Sequence, residues 1–166
     1  LLSLFDIPKA LLPEVRDCAE LFGMSNPGIL GSKIPITGIA GDQQAAAIGQ
    51  ACFSPGMVKS TYGTGCFLIM NTGSDIIKSQ SNLLSTTAYN INGNKSYAIE
   101  GSIFNAGTVV QWMRDELQFF NKASEVENLA SKSSNDIHFV PAFTGLGAPY
   151  WKSDVRGQIS GITRDT

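Results

Sequence analysis

The feature that most constrains the fold is an apolar run, residues 34–40, that passes through Gly41 and Asp42 into an alanine-rich segment ending near Cys52. The apolar run predicts a β-strand, and the alanine-rich segment predicts an α-helix. Asp42 is then expected at the helix N-cap, where its carboxylate can accept hydrogen bonds from the free amides of the first turn. The same carboxylate can instead face a cleft and accept a proton from a substrate. The residues alone leave both roles open.

Glycine and proline divide the chain after this segment. Phe53-Ser54-Pro55-Gly56 predicts a turn and a domain boundary, because proline fixes φ and glycine permits positive φ. The next runs predict an antiparallel meander, with Gly63-Thr64-Gly65 at the first hairpin tip and Asn92-Gly93-Asn94 at the second. The four strands of this meander are predicted at 57–62, 66–70, 83–91 and 95–102.

Helical spacing of apolar residues is found on both sides of the predicted meander. The last predicted helix begins with Ser124 and Glu127, which form a plausible capping box. A short strand and a loop rich in glycine and aromatic residues follow it. Helices are predicted at 15–22, 106–120 and 124–132, the strand at 137–141 and the loop at 143–151.

Composition excludes several classes of function. The 166 residues have a net charge of −2 and their 12 basic residues form no stripe, so binding to nucleic acid or to an acidic membrane surface is not expected. No apolar run approaches the ~20 residues of a membrane-spanning helix, so membrane insertion is not expected either. The 3 cysteines have no Cys-x-x-Cys spacing, which predicts reduced thiols in a cytoplasmic protein rather than a disulfide framework.

Few patterns in the chain are typical of catalysis. His138 is the single histidine and has no cysteine near it in sequence, so neither a metal site nor a catalytic dyad is expected. Gly-x-Ser-x-Gly and Gly-x-x-x-x-Gly-Lys motifs do not occur. The backbone amides of Gly63-Thr64-Gly65, and of Gly107 at a predicted helix start, can approach a phosphate closely. A plain turn at the first site and a close-packed glycine at the second remain open.

Three stretches of the sequence carry a resemblance to a known family. Residues 38–46 read Gly-Ile-Ala-Gly-Asp-Gln-Gln-Ala-Ala, and residues 60–67 read Ser-Thr-Tyr-Gly-Thr-Gly-Cys-Phe. Residues 140–151 read Val-Pro-Ala-Phe-Thr-Gly-Leu-Gly-Ala-Pro-Tyr-Trp. Together these stretches closely resemble the glycerol kinases of the FGGY carbohydrate kinase family. Gly-Asp-Gln alone marks the wider family, whereas the three motifs together are much more specific, and the resemblance spans essentially the whole chain.

The resemblance implies an α/β, ribonuclease H-like fold of the actin/hexokinase ATPase type, in which two lobes close over a cleft. The chain is then expected to be an internal fragment that spans the junction of the lobes. Residues 1–52 would end the first, substrate-binding lobe, and residues 53–166 would begin the second, nucleotide-binding lobe. The family's N-terminal phosphate loop, its glycerol-gripping Arg-Glu pair and its C-terminal Gly-Gly loop have no counterpart here. The chain alone is therefore expected to be inactive.

The resemblance also implies a reaction. The parent enzyme would phosphorylate glycerol to glycerol 3-phosphate with ATP and Mg²⁺, in the cytoplasm and as a homo-oligomer. Asp42 would be the catalytic base that takes the proton of the glycerol 3-hydroxyl. Asp42, Gln43 and Phe67 would line the glycerol site, and Thr64, Gly107 and Gln111 would bind ATP or ADP.

Two alternatives to this reaction stay open. The first is a related sugar kinase acting on xylulose, gluconate or ribulose, against which Phe67 and the loop at 143–151 argue. The second is a noncatalytic nucleotide-binding module that uses the same hairpins, since a fold does not by itself imply a function. Asp42 distinguishes the second alternative from an active kinase.

Overall fold

A computed structural model of the protein describes residues 1–130 and 136–164. That part of the chain contains four α-helices and eight β-strands. The helices are α1 (Pro27–Leu30), α2 (Asp42–Gly49), α3 (Gly107–Asp115) and α4 (Val126–Ala130). The strands are β1 (Gly23–Met24), β2 (Pro35–Ile36), β3 (Val58–Tyr62), β4 (Cys66–Gly73), β5 (Leu84–Ile91), β6 (Asn94–Ile103), β7 (His138–Val140) and β8 (Gln158–Ser160).

The centre of the fold is an antiparallel sheet with the strand order β3-β4-β6-β5. All four predicted strands are present, but the predicted meander order is wrong, because β4 pairs with β6 and β5 lies at the edge. Strand β6 takes the interior position because it is the more deeply buried of the two, with Ala98 and Ile99 both in the core. The sheet therefore places β3, β4 and β6 side by side.

Helix α2 packs on one face of this sheet through a small apolar cluster. Alanine and cysteine side chains allow the helix to approach the strands closely. At the end of the helix, the buried side chain of Asn71 donates from Nδ2 to the carbonyl oxygen of Cys52 at 2.8 Å. The cluster contains Ala47, Cys52, Ile69, Ala88 and Ala98. The start of α2 is thereby held at a fixed place over β3 and β4.

The strand predicted before α2 is much shorter in the structure. Of residues 34–40, Pro35–Ile36 form β2, which pairs with β1. Ile39 instead donates its backbone N–H to the carbonyl oxygen of Cys18 at 3.0 Å. The chain thus enters α2 as an extended connection and not as a strand of the central sheet.

The helix predicted at 15–22 does not form. The Asp17 Oδ1 atom accepts the backbone N–H of Ala19 at 3.0 Å, and such a turn competes with helical hydrogen bonding. Cys18 donates its backbone N–H to the carbonyl oxygen of Asn90, in β5, at 2.8 Å. A local turn and a contact with the central sheet replace the helix that the apolar spacing predicts.

Helix α3 is shorter than predicted, and the segment after it differs from its prediction. After α3 ends at Asp115, Gln118 has a φ of 56°, which lies outside the helical region. The predicted capping box is wrong, because Ser124 lies within a 3₁₀ turn, Ala123–Glu125, whose preceding residue makes no capping hydrogen bond with its side chain. The predicted end of this helix at Lys132 lies outside the described residues.

The strand predicted at 137–141 is present as β7, and it pairs with β8, which is too short for its sequence pattern to predict. An aromatic cluster attaches this hairpin to α3. The ring centroid of Trp112 in α3 lies 5.8 Å from that of Phe139 in β7 and 5.0 Å from that of Phe143. The loop that follows β7 is thereby held next to α3.

Asp17 links the N-terminal segment to the β5–β6 hairpin through a hydrogen bond whose strength depends on pH. Its Oδ2 atom accepts the backbone N–H of Gly93 at 2.9 Å. This bond, and then the bond from Ala19, lower the pKa of Asp17 from its ordinary value of 3.8. A carboxyl group with a lowered pKa stabilises the folded state above the unfolded pKa, and that contribution is lost as the pH falls through the folded pKa.

We therefore expect Asp17→Asn to lower the melting temperature by a few degrees near neutral pH and to have no effect once the pH lies below the folded pKa. Thermal unfolding followed by circular dichroism across this pH range measures the difference. The matched control is Asp154→Asn, which changes another exposed aspartate. If both substitutions alter the melting temperature equally at every pH, the proposed role of Asp17 is wrong.

Candidate functional site

Asp42 is the first residue of α2, and Gly41 is the N-cap. The prediction that Asp42 is the N-cap is therefore wrong by one residue. Its Oδ1 atom accepts the backbone N–H of Gln43 at 2.8 Å, and its Oδ2 atom accepts no hydrogen bond from the described part of the chain. The residue is exposed. One carboxylate oxygen at the positive end of a helix is therefore available to accept a proton.

Gln43 is held by a lysine from the neighbouring strand. The Lys59 Nζ atom donates to the Oε1 atom of Gln43 and to the Oγ1 atom of Thr61, the latter at 2.8 Å. Lys59 is 4% exposed, although it belongs to β3, whose outer face is open to solvent. This contact fixes the start of α2 to the sheet directly beside Asp42.

Phe67 lies on the same face of the sheet as this contact. It is directly opposite Thr61 in the β3–β4 ladder, and Ile69 is directly opposite Lys59. Directly opposite residues of antiparallel strands project from the same face. Ile69 belongs to the apolar cluster under α2, so the shared face is the one that carries this helix. The structure therefore brings the three predicted glycerol-site residues, Asp42, Gln43 and Phe67, to one side of the sheet.

The electrostatics of this face are dominated by the buried ammonium group of Lys59. Burial lowers the pKa of Lys59, and the negative charges of Asp42 and then Glu100 oppose that effect. Among the described residues, no carboxylate lies within ion-pair distance of Lys59, and the three ion pairs that do form involve Arg16 and Arg114. The lysine is therefore a buried cation whose contacts are neutral oxygens.

The tip of the β3–β4 hairpin docks onto the start of α3. Gly107 donates its backbone N–H to the carbonyl oxygen of Gly63 at 2.8 Å, and Ala106 donates to that of Thr64 at 2.8 Å. The hydroxyl group of Thr108 also donates to the carbonyl oxygen of Thr64, at 3.1 Å. Thr64 itself is exposed. The hairpin tip and the first turn of α3 thus form one continuous surface.

Two glycines allow close backbone approaches here, Gly65 to the end of β6 and Gly107 to the hairpin tip. A Cβ atom at Gly65 would lie 2.5 Å from the carbonyl oxygen of Ile103, and one at Gly107 would lie 2.6 Å from that of Gly63. Real Cβ contacts are not that short, and both partners are backbone atoms. Close packing, one of the two interpretations left open for Gly107, is therefore present in the structure.

Gln111 lies four residues after Gly107 in α3, which places the two residues on the same side of the helix. Its side chain is exposed. Gly107 is thus hydrogen-bonded to Gly63, the residue before Thr64, whereas Gln111 lies one turn further along α3. Thr64 lies just beyond β3, three residues after Thr61, so the hairpin tip lies at the end of the strand that carries Lys59 and Thr61.

Several residues that shape this region are not identified by sequence analysis. Lys59 holds Gln43 and is itself held by Thr61. Asn105, just before α3, donates from Nδ2 to the Oγ1 atom of Thr144, in the loop after β7, at 3.2 Å. The available signal for Lys59 is its inward position in an alternating strand. That signal can be recognised only when the face covered by α2 is known.

The described residues include no cluster of side chains suited to bind a metal ion. No group of three or more His, Cys, Asp or Glu side chains among them is placed to hold an ion. Cys18, Cys52 and Cys66 form no disulfide among the described residues. Within the described residues, no helix combines the length and the apolar character that crossing a membrane requires.

Comparison with known proteins identifies relatives of the whole chain. Residues 58–166 match the model of the FGGY family of carbohydrate kinases, C-terminal domain. A protein of Nitrosomonas eutropha named glycerol kinase is 62% identical over 168 residues, which cover 100% of this chain and 34% of the relative. Glycerol kinase 1 of Pseudomonas aeruginosa is 60% identical with the same coverage. The chain thus spans about a third of the length of these relatives.

Solved structures of kinases share the fold of this chain. The crystal structure of Plasmodium falciparum glycerol kinase with ADP matches 99% of this chain and 34% of its own, with a TM-score of 0.85 and 41% identity. A xylulose kinase from Lactobacillus acidophilus matches 99% of this chain and 34% of its own, with a TM-score of 0.77 and 22% identity. The second match carries information about the fold alone. The predicted α/β fold of the actin/hexokinase ATPase type is confirmed.

Proposed function

Because the chain belongs to the FGGY family of carbohydrate kinases, we propose that it supplies the base-bearing part of an enzyme that transfers the γ-phosphate of ATP to glycerol. The observation that carries the proposal is the common sheet face of Asp42, Gln43 and Phe67, next to a hairpin tip that docks onto α3. Identities of 57–62% to proteins named glycerol kinase support glycerol as the acceptor. Among the solved structures, the glycerol kinase of Plasmodium falciparum is 41% identical, whereas two xylulose kinases are 18% and 22% identical.

Asp42 acts as the general base in this proposal. Its Oδ2 atom accepts the proton of the glycerol 3-hydroxyl group as that oxygen attacks the γ-phosphorus. The bond between the γ-phosphorus and the bridging oxygen of ATP breaks, and the products are glycerol 3-phosphate and ADP. A carboxylate oxygen within hydrogen-bond reach of the hydroxyl group can accept this proton. A positioned base typically contributes about 10²–10⁴-fold in rate. The hydrogen bond from Gln43 N–H to Oδ1 fixes the carboxylate while the reaction proceeds.

Gln43 and Phe67 position the acceptor. The Gln43 side chain is half-buried next to the base, and its NH₂ group donates to a glycerol hydroxyl group. Phe67 supplies an apolar wall against the carbon atoms of glycerol. A small polyol with one apolar side fits this pairing of an amide and a ring.

Thr64, Gly107 and Gln111 bind the nucleotide. The exposed hydroxyl group of Thr64 and the backbone of a glycine-rich tip are donors of the kind that phosphate oxygens accept. Gly107 acts by holding this tip in place, because its backbone N–H donates to the carbonyl oxygen of Gly63, and the exposed amide of Gln111 can donate from the next turn of α3. The described residues are poor in clustered carboxylates, which fits a Mg²⁺ ion held largely by the phosphates and water. When bound, Mg²⁺ neutralises charge on the transferred phosphate.

The same proposal divides the chain between two lobes. Residues 1–52 belong to the substrate-binding lobe and residues 53–166 to the nucleotide-binding lobe, and the start of the family match at residue 58 supports this division. We place the enzyme in the cytoplasm, which the free thiols support, and expect a homo-oligomer.

The test uses a full-length chimera in which these 166 residues replace the matched third of the Nitrosomonas eutropha relative. We expect the chimera to consume ATP with glycerol and to form a product whose ³¹P NMR signal is that of a phosphate ester on the terminal carbon. The unmodified relative is the positive control. A folded chimera that releases only inorganic phosphate, or that leaves ATP intact, would refute the proposal.

A further inference from the structure

Lys59 is a buried cation that none of the steps above uses. Its side chain is 4% exposed, and its Nζ atom donates to Gln43 Oε1 and Thr61 Oγ1. Burying an ammonium group without a paired carboxylate costs free energy, whereas an apolar side chain of similar length would fill the same space without that cost. The position is therefore a poor choice for stability alone, and its polar contacts require another explanation.

The chemistry of the two side chains determines how Gln43 is oriented. A glutamine amide has one acceptor oxygen and one donor NH₂ group, while a lysine ammonium has donors and no acceptor. The amide oxygen of Gln43 must therefore face Lys59, and its NH₂ group must face away from it. An amide without such a partner can exchange the places of its oxygen and nitrogen at little cost. Lys59 removes that freedom.

We propose that Lys59 is a positioning residue of the phosphotransfer site, which orients the Gln43 amide so that its NH₂ group faces the glycerol hydroxyl next to Asp42. This inference rests on the proposed function, because it assigns Gln43 to the acceptor. Thr61 supports the arrangement, since its hydroxyl group accepts a second Nζ–H at 2.8 Å and holds the ammonium in place. Lys59 acts through Gln43 and does not touch the substrate.

A positioning role predicts a selective kinetic effect. In the full-length chimera, we expect Lys59→Met to raise the KM for glycerol by about 3- to 10-fold, the size expected when the neutral hydrogen bond between the Gln43 amide and a glycerol hydroxyl group is lost. The KM for ATP should stay within about twofold of its unsubstituted value, because the hairpin tip and α3 are not in contact with Lys59. The matched control is Lys95→Met, which removes an exposed lysine at the start of β6 of the same sheet and should change neither constant.

A double-mutant cycle tests whether the effect passes through Gln43. If it does, Lys59→Met combined with Gln43→Ala should have a glycerol kcat/KM no lower than that of Gln43→Ala alone. If the kcat/KM of the double variant falls by the product of the two single losses, the inference is wrong. A Lys59→Met enzyme whose glycerol KM stays within about twofold of the unsubstituted value also overturns it. A melting temperature for each variant separates these results from unfolding.

If Lys59→Met does not fold, Lys59→Arg takes its place, since arginine keeps the charge and the donors. A glycerol KM closer to that of the unsubstituted enzyme than to that of Gln43→Ala supports the inference. A loss as large as that of Gln43→Ala contradicts it. An unsubstituted chimera without glycerol phosphorylation refutes the proposed function itself, whereas an active chimera that is indifferent to Lys59→Met refutes this inference alone.

Discussion

Asp42→Asn is expected to lower kcat for glycerol phosphorylation by about 10²–10⁴-fold in the full-length chimera. An asparagine amide cannot accept the hydroxyl proton, but its side-chain oxygen can still accept the Gln43 N–H that Asp42 Oδ1 accepts now. The start of α2 should therefore keep its shape, and the melting temperature and the affinity for ATP should change little. Steady-state kinetics with ATP consumption as the readout measures the effect.

The control for this experiment is Asp75→Asn, which changes an exposed aspartate in the connection between β4 and β5. It should leave kcat unchanged. If Asp42→Asn retains kcat within about twofold of the unsubstituted enzyme, Asp42 is not the base. A large loss of ATP affinity in Asp42→Asn would also contradict the account, because nucleotide binding is assigned to the hairpin tip and α3.

Gly107→Ala is expected to displace the β3–β4 hairpin tip from α3. The new Cβ atom would lie 2.6 Å from the carbonyl oxygen of Gly63, and a backbone atom cannot move away as the end of a long side chain can. We expect a loss of about 1–3 kcal/mol in the free energy of unfolding, as for other overpacked sites. The KM for ATP should rise by about 10-fold, because Thr64 moves with the tip.

Gly49→Ala is a matched control for this substitution. Gly49 also lies in a helix, α2, and a Cβ atom there would meet nothing within 4 Å. Alanine is favoured over glycine inside helices by up to about 1 kcal/mol, so this variant should be as stable as the unsubstituted enzyme or slightly more stable. Thermal unfolding and ATP kinetics of the two variants give the comparison. If Gly107→Ala and Gly49→Ala have the same melting temperature and the same KM for ATP, the contact between the hairpin tip and α3 does not require a glycine and this prediction is wrong.

The strands of the central sheet could be predicted from the sequence, but their order could not. Alternating side chains and the Asn92-Gly93 turn specify β3 to β6 locally. Whether β5 or β6 lies beside β4 is a contact between segments that are far apart in the chain, and local patterns describe each strand by itself. At residues 15–22 a helical spacing is likewise overridden, here by the Asp17 turn and the contact between Cys18 and Asn90.

The candidate site, like the fold, could be predicted from the sequence only in part. Asp42, Gln43, Phe67 and Thr64 come from stretches of sequence that resemble a family, and Gly107 comes from a predicted helix start. Their roles stay predictions. Lys59 belongs to no such pattern, because a single lysine in a strand is ordinarily exposed. Its importance depends on three facts that only the assembled fold supplies. They are the face that it occupies, its 4% exposure and its contact with Gln43.

The central claim is that this face of the sheet accepts glycerol for phosphoryl transfer from ATP. It is tested most directly by kcat/KM values of the full-length chimera for glycerol, xylulose, gluconate and ribulose, measured as acceptor-dependent ATP consumption. The account predicts that glycerol is preferred over each of the three sugars or sugar acids by a wide margin, and that Asp42→Asn removes this activity. A folded chimera that prefers one of the others, or that consumes ATP at the same rate without any acceptor, would contradict it.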